Sequence, residues 1–129
     1  MDPSRLRSIP LFKDIPDEEL REIATFADEV SVPEGKHLVD EGDYSYEFMA
    51  IEEGNAEVLR DGRHVADLGP GDFFGEMGLL EKDRRSATVV AKGPMRIITL
   101  TGWDLKRMEK SVPQAVEQIR ATMEERRPQ

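Results

Sequence analysis

Hydrophobic positions change period twice along this chain. From Asp17 to Ala27, Leu20, Ile23, Ala24 and Ala27 fall on one helical face. Asp17, Glu18 and Glu19 fill the first turn of that helix, where carboxylates suit the positive end of the dipole. An apolar lead-in, residues 11–16, precedes it. From residue 30 the runs become short and strand-like: 30–32, 37–40, 48–51, 56–60, 64–68, 87–91 and 95–100. Turn signals separate them at Pro33-Glu34-Gly35, Glu41-Gly42-Asp43, Gly54-Asn55 and Gly69-Pro70-Gly71. Asp61-Gly62 marks a two-residue hairpin. After Leu100 the helical period returns. Thr101-Gly102-Trp103-Asp104 opens a helix reaching about Glu109, and Trp103 at its start reads as a core anchor. Pro113 suits the first turn of a last helix, whose Val112, Val116, Ile119 and Met123 recur at steps of four, three and four.

This order predicts a mainly β fold with flanking helices. The strand spacing points to an antiparallel sandwich or jelly-roll barrel, able to hold a small ligand inside. The expected organisation is one domain over 1–129. It comprises a helical lead-in (1–28), a double-stranded β-helix (jelly-roll) barrel (29–101) and a C-terminal helical tail (102–129).

Composition narrows the function. At 129 residues and 38% hydrophobic, the chain can fill one core but hardly two. Its apolar runs are too short for a membrane span, and no apolar signal region follows Met1-Asp2-Pro3-Ser4-Arg5. The absence of cysteine excludes a disulfide scaffold and cysteine-held zinc, and fits a reducing cytoplasm. A net charge of −9 argues against nucleic-acid binding. His37 and His64 lie far apart and read as ordinary strand residues. Asp40-Glu41-Gly42-Asp43 lacks the alternating ligands of a calcium loop and reads as a turn. Nothing here resembles a catalytic constellation, so a non-enzymatic role is expected.

One segment carries chemistry. Phe73-Phe74-Gly75-Glu76-Met77-Gly78-Leu79-Leu80 places a flexible glycine before a carboxylate and an apolar turn. The basic cluster Lys82, Arg84 and Arg85 then closes it. Two readings of the cluster are open: solvated loop charges, or a positive field that lets an acidic protein hold an anion. A carboxylate that accepts from sugar hydroxyls, with a fork-shaped cation for phosphate, suggests a nucleotide-like ligand.

The segment resembles the phosphate-binding cassette of the cyclic-nucleotide-binding domain family, which includes catabolite activators, kinase regulatory subunits and gated channels. The matching motifs are Phe74-Gly75-Glu76-Met77-Gly78-Leu79 and Arg85-Ser86-Ala87-Thr88-Val89. The likeness extends from about Leu11 to the last helix. It implies a ligand, cAMP or cGMP, and no separate cofactor or metal. Glu76 would accept from the ribose 2′-hydroxyl, and Gly75 would let the backbone approach the sugar. Residues 77–80 would form a short helix whose first amides face the phosphate. Arg85 would pair with the phosphate oxygens. Ser86, followed by Ala87, would place a hydroxyl near phosphate or base, and Val65 and Ala66 would line the base pocket. Arg84 stands where many cassettes have proline. Ser86 leaves the base undecided, although the activator-type Arg-Ser-Ala pattern favours cAMP. No aromatic follows Trp103 to cap a base from the tail.

The resemblance implies a regulatory module for signal transduction. With only a short tail after the barrel, the output is expected in an effector protein or a fused output domain. The tail stripe would pack on its own barrel as a lid, or pair with its twin in a homodimer. The competing expectation is a related domain without nucleotide, serving protein interaction.

Overall fold

The computed structural model describes residues 1–45, 47–75 and 83–125. Among these, two four-stranded antiparallel sheets stack with helices against one of them. The strands are β1 (Asp28–Val32), β2 (His37–Val39), β3 (Tyr44–Ser45), β4 (Glu47–Glu53), β5 (Ala56–Arg60), β6 (Arg63–Leu68), β7 (Phe73–Phe74), β8 (Asp83–Arg84), β9 (Thr88–Ala91) and β10 (Met95–Thr101). One sheet runs β1-β10-β4-β7 and the other β2-β9-β5-β6, while β3 and β8 form a separate ribbon. The longer predicted strands all form, and the two-residue strands β3, β7 and β8 are additions too short for periodicity to mark. Asp61 and Gly62 both take positive φ, 53° and 77°, as a tight hairpin between β5 and β6 requires.

Four helices flank the sheets: α1 (Pro3–Arg7), α2 (Asp17–Phe26), α3 (Gly102–Ser111) and α4 (Pro113–Glu125), with a 3₁₀ turn at Pro10–Phe12. The predicted stripe of α2 buries Leu20, Ile23 and Ala24. α1 is too short to show a period. Its signal is the cap: Asp2 accepts from the Ser4 amide at 2.9 Å, with proline at the first helical position.

β4 and β10 are buried on both faces, which decides the layering. Phe48, Ala50, Ile98 and Leu100 point outward into a cluster with Leu6, Phe12, Leu20, Ile23, Leu105, Met108 and Ile119. Their alternate neighbours Met49, Ile51, Met95 and Ile97 point inward, to Ala56, Val89 and Ala91 of the other sheet. Composition alone suggests one core. The molecule builds two clusters because a single central sheet serves both.

Three expectations are corrected. Among the described residues the sheets are hydrogen-bonded only within themselves, so the β-layer is an open sandwich and not a closed barrel. Trp103 is 60% exposed and not a core anchor. A reciprocal capping box sets the rotation of α3: the Asp104 amide donates to Thr101 Oγ1 at 3.1 Å, and the Thr101 amide to Asp104 Oδ2 at 3.0 Å. That rotation turns Asp104, Leu105 and Met108 inward, so Trp103 faces out. Finally, α4 packs with the N-terminal helices on the outer face of the β1-β10-β4-β7 sheet. Val112, Val116 and Ile119 are buried there, away from the space between the sheets.

Candidate functional site

Two short strands frame the expected cassette: β7, which pairs with β4, and β8, which pairs with β3 just before β4. Phe74 closes β7, pairs with Met49 of β4 and packs its ring against the inter-sheet cluster. Its neighbour Phe73 points the other way, with its ring 5.5 Å from that of Phe48. Gly75 follows at φ 79°, a left-handed conformation that side chains resist. Space confirms the choice: a Cβ there would lie 2.5 Å from the Glu47 carbonyl oxygen and 2.8 Å from Arg85 Nη2. The guanidinium of Arg85 therefore lies directly on the Gly75 backbone, across ten positions of sequence.

Several contacts hold Arg85 there. Its amide donates to the Asp43 carbonyl at 2.8 Å, and its own carbonyl accepts from the Gly42 amide at 2.8 Å. The preceding ribbon pairs Tyr44 with Arg84, and the Arg84 guanidinium sits 4.8 Å from the Tyr44 ring centre. Arg85 Nη2 also donates to the Glu47 carbonyl. The half-buried cation is thus fixed at both backbone and side chain before any ligand is considered.

Ser86 is exposed, and its carbonyl accepts from Arg60 Nε at 3.2 Å. Ala87 is half-buried and leads into β9. Thr88 Oγ1 accepts from the Glu41 amide at 2.9 Å, while Glu41 Oε1 accepts from the Asp61 amide at 3.0 Å. The 40–43 turn, read from sequence only as a turn, is therefore the brace that ties Arg85 to β9 and to the β5–β6 hairpin. This bracing has no local sequence signal, because it lies in pairings across 20 to 47 residues. Arg60, also not singled out from sequence, brings a further guanidinium to the same stretch.

Val65 and Ala66 sit on β6, at the edge of its sheet. Ala66 pairs with Val58, which pairs with Val89 of β9. Residues opposite one another share a face, and Val58 and Val89 both pack into the inter-sheet cluster. Ala66 therefore belongs to the inner face, roughly 10 Å, or two strand spacings, from Val89. Val65 falls where the β5–β6 register slips between Val58 and Leu59, and is 51% exposed. The structure thus brings Phe74, Gly75 and Arg85 together and places Ala66 on the inner face of its sheet, with Ala87 just before β9. Glu76, Met77, Gly78 and the short helix expected over 77–80 lie outside the described residues.

Among the described residues, no group of three or more His, Asp or Glu side chains is placed to hold a metal. His37 pairs with Asp40 at 2.6 Å and His64 with Glu57 at 2.8 Å. No helix among them is long and apolar enough to cross a membrane.

Comparison with known proteins matches this geometry to one kind of domain. Residues 29–111 fit the family model described as cyclic nucleotide-binding domain. A cyclic nucleotide-gated potassium channel of Rhizobium etli is 35% identical over 93% of the chain and 34% of its own length. A cAMP-dependent protein kinase regulatory subunit of Emericella nidulans is 32% identical over 80% of the chain and 26% of its own length. The chain thus spans about a quarter to a third of these relatives. Among solved structures, the N-terminal domain of a transcriptional regulator from Streptomyces coelicolor superposes with a TM-score of 0.86 at 28% identity. That match covers 95% of this chain and 89% of the other.

Proposed function

From the premise that the chain belongs to the cyclic nucleotide-binding domain family, we propose that it is a cAMP-responsive regulatory module acting in the cytoplasm. Arg85 pairs with the cyclic phosphate and Glu76 accepts from the ribose 2′-hydroxyl. The single observation that carries the reading is the packing of the Arg85 guanidinium on Gly75. It brings the two ends of the Phe74–Arg85 segment to one point, beside the Glu47 carbonyl at the start of β4. A ligand whose sugar and phosphate are fused in one ring needs its carboxylate and its cation that close together. Arginine supplies a planar fork that grips two phosphate oxygens at once.

In this reading Met77 and Gly78 offer backbone amides to the phosphate, and Ser86 and Ala87 flank it. Val65, Ala66 and Phe74 provide apolar surface for the base. The preference for cAMP over cGMP rests on the Arg85-Ser86-Ala87 pattern and on the likeness to a cAMP-dependent regulatory subunit. The output lies in an effector protein or a fused domain. The brace from Arg85 through Asp43 and Glu41 to β9 gives the ligand a mechanical route into the sandwich. A ligand that favours one arrangement of this brace shifts the population toward it.

Thermal shift with cAMP, cGMP, cyclic dinucleotides and linear AMP tests the reading. A ligand at a hundredfold its dissociation constant stabilises by about 2.7 kcal/mol, or about 10 °C for a domain of this size. cAMP should give the largest rise. A larger rise with cGMP at equal concentration overturns the base preference. No rise with any cyclic nucleotide overturns ligand binding and leaves the protein-interaction alternative.

A further inference from the structure

Two arginines face each other across the tip of the β5–β6 hairpin. Arg60 and Arg63 form the pair that closes the two-residue turn at Asp61 and Gly62. Directly opposite residues of an antiparallel pair share a face, with Cβ atoms about 5 Å apart. Ala56, Val58 and Arg60 alternate onto the inner face of β5, since Ala56 and Val58 pack into the inter-sheet cluster. The Arg60 guanidinium leaves that cluster at the hairpin end, where its Nε donates to the Ser86 carbonyl at 3.2 Å. Arg63 lies opposite it and is exposed. Like charges placed opposite one another repel, and so tight a turn holds the two strands together against that repulsion. Elsewhere Arg5, Arg7, Arg96, Arg107 and Arg120 each take a carboxylate partner. Among the described residues Arg60 and Arg63 make no ion pair, although Asp61 lies between them in the turn and Glu41 Oε1 accepts from the Asp61 amide at 3.0 Å. In a chain with 27 acidic residues against 18 basic ones, two adjacent arginines without a counter-charge stand out.

We propose that Arg60 and Arg63 form an anion site beside the cassette for a phosphate dianion, either free or carried as a phosphomonoester. Each guanidinium is a planar fork that donates two parallel hydrogen bonds. A carboxylate has two oxygens and one charge, and satisfies a single fork. A phosphate dianion has three or more terminal oxygens and about two negative charges, enough to accept from both forks and balance both cations. The bond to the Ser86 carbonyl already orients one fork, so part of the ordering is done before the anion arrives. A duplex or an anionic membrane fits less well. Either is a wide surface that would also meet the rest of a chain carrying −9, whereas one phosphate meets only the hairpin tip. The bound anion steadies Ser86 together with the hairpin that Glu41 ties to β9. The cyclic phosphate is assigned to Arg85, which rests on Gly75 and the Glu47 carbonyl, while Arg60 is tied to a different carbonyl. The proposal therefore does not depend on nucleotide binding.

Phosphorus NMR tests the site on the whole chain, at constant ionic strength. The probes are inorganic phosphate and glycerol phosphate, a phosphomonoester that carries no base. Both should show saturable line broadening with the parent protein. The Arg60→Gln/Arg63→Gln variant should bind them about tenfold more weakly, as expected for lost charge-assisted hydrogen bonds. Arg85→Ala, in contrast, should keep the response to inorganic phosphate. Both substituted arginines are exposed, and an unchanged melting temperature without anion shows that the double variant folds. Tighter binding of inorganic phosphate supports a free anion as the ligand, and tighter binding of glycerol phosphate supports a phosphomonoester. No saturable broadening, or equal binding by the double variant, overturns the proposal. Loss of the phosphate response in Arg85→Ala assigns the anion to the cassette and overturns it too. So does displacement of phosphate by a glutamate-rich peptide at a lower concentration than phosphate itself requires, which assigns the arginines to an acidic partner.

Discussion

Gly75 and Arg85 are informative because each limits the other. Sequence places them in one motif; the fold adds that the glycine is required by the arginine. Gly75→Ala would put a methyl group against the Arg85 guanidinium and the Glu47 carbonyl, at a φ of 79°. The backbone strain alone costs about 1–3 kcal/mol. Urea unfolding should show that loss, and calorimetry should show cAMP affinity falling with it as Arg85 is displaced. Arg85→Ala separates the two effects. It relieves crowding, so stability should fall less than in Gly75→Ala, while cAMP affinity should drop at least about tenfold for a lost charge-assisted contact. Equal cAMP affinity in calorimetry for Arg85→Ala and the parent protein would remove Arg85 from the site. Trp103 teaches the opposite lesson. A lone tryptophan in a small domain is usually buried, and only the rotation imposed by Thr101 and Asp104 puts this one outside.

At the level of elements, the chain ties short pieces together with specific side chains. The capping box that orients α3 is one such tie, and Thr101→Ala should lower stability by about 1 kcal/mol, read from the urea midpoint. α1 is held by a second: Arg5 Nε donates to Glu52 at 2.8 Å and its Nη1 to Glu29 at 2.6 Å, while Arg96 also pairs with Glu29. Such partly exposed pairs contribute little each, but this network spans the first helix, β1, β4 and β10. The strands themselves were legible because alternation and Gly-rich turns announce them. The ribbon of β3 and β8 was not, because two-residue strands have no period. Their pairing depends on residues 40 positions apart, and so the brace beneath Arg85 was hidden although Arg85 itself was not.

The whole molecule is organised by the double burial of β4 and β10. Phe48 is fully buried, 6.0 Å from the Phe12 ring and 5.5 Å from Phe73. It joins the N-terminal helices to the strand that leads into Gly75. Phe48→Ala should cost about 3–5 kcal/mol by urea unfolding, the largest loss predicted here. The same packing bears on assembly. Val112, Val116 and Ile119 of the last helical segment are spent on the chain's own core. The domain should therefore sediment as a monomer with and without cAMP; a stable dimer would require the helix beyond Ile119 to pair.

The residues alone determined the order of elements, the two changes of period and the segment proposed to hold the ligand. These follow from local rules: side-chain period, turn chemistry, and the type and spacing of charged groups. Tertiary structure decided what depends on distant pairing. It opened the barrel into a sandwich and let one sheet serve two apolar clusters. It sent the tail to the outer face and brought Gly42, Asp43 and Glu47 beneath Arg85. The physical reason is that a side chain's partner across a sheet is set by register and layering, which no short window of sequence contains.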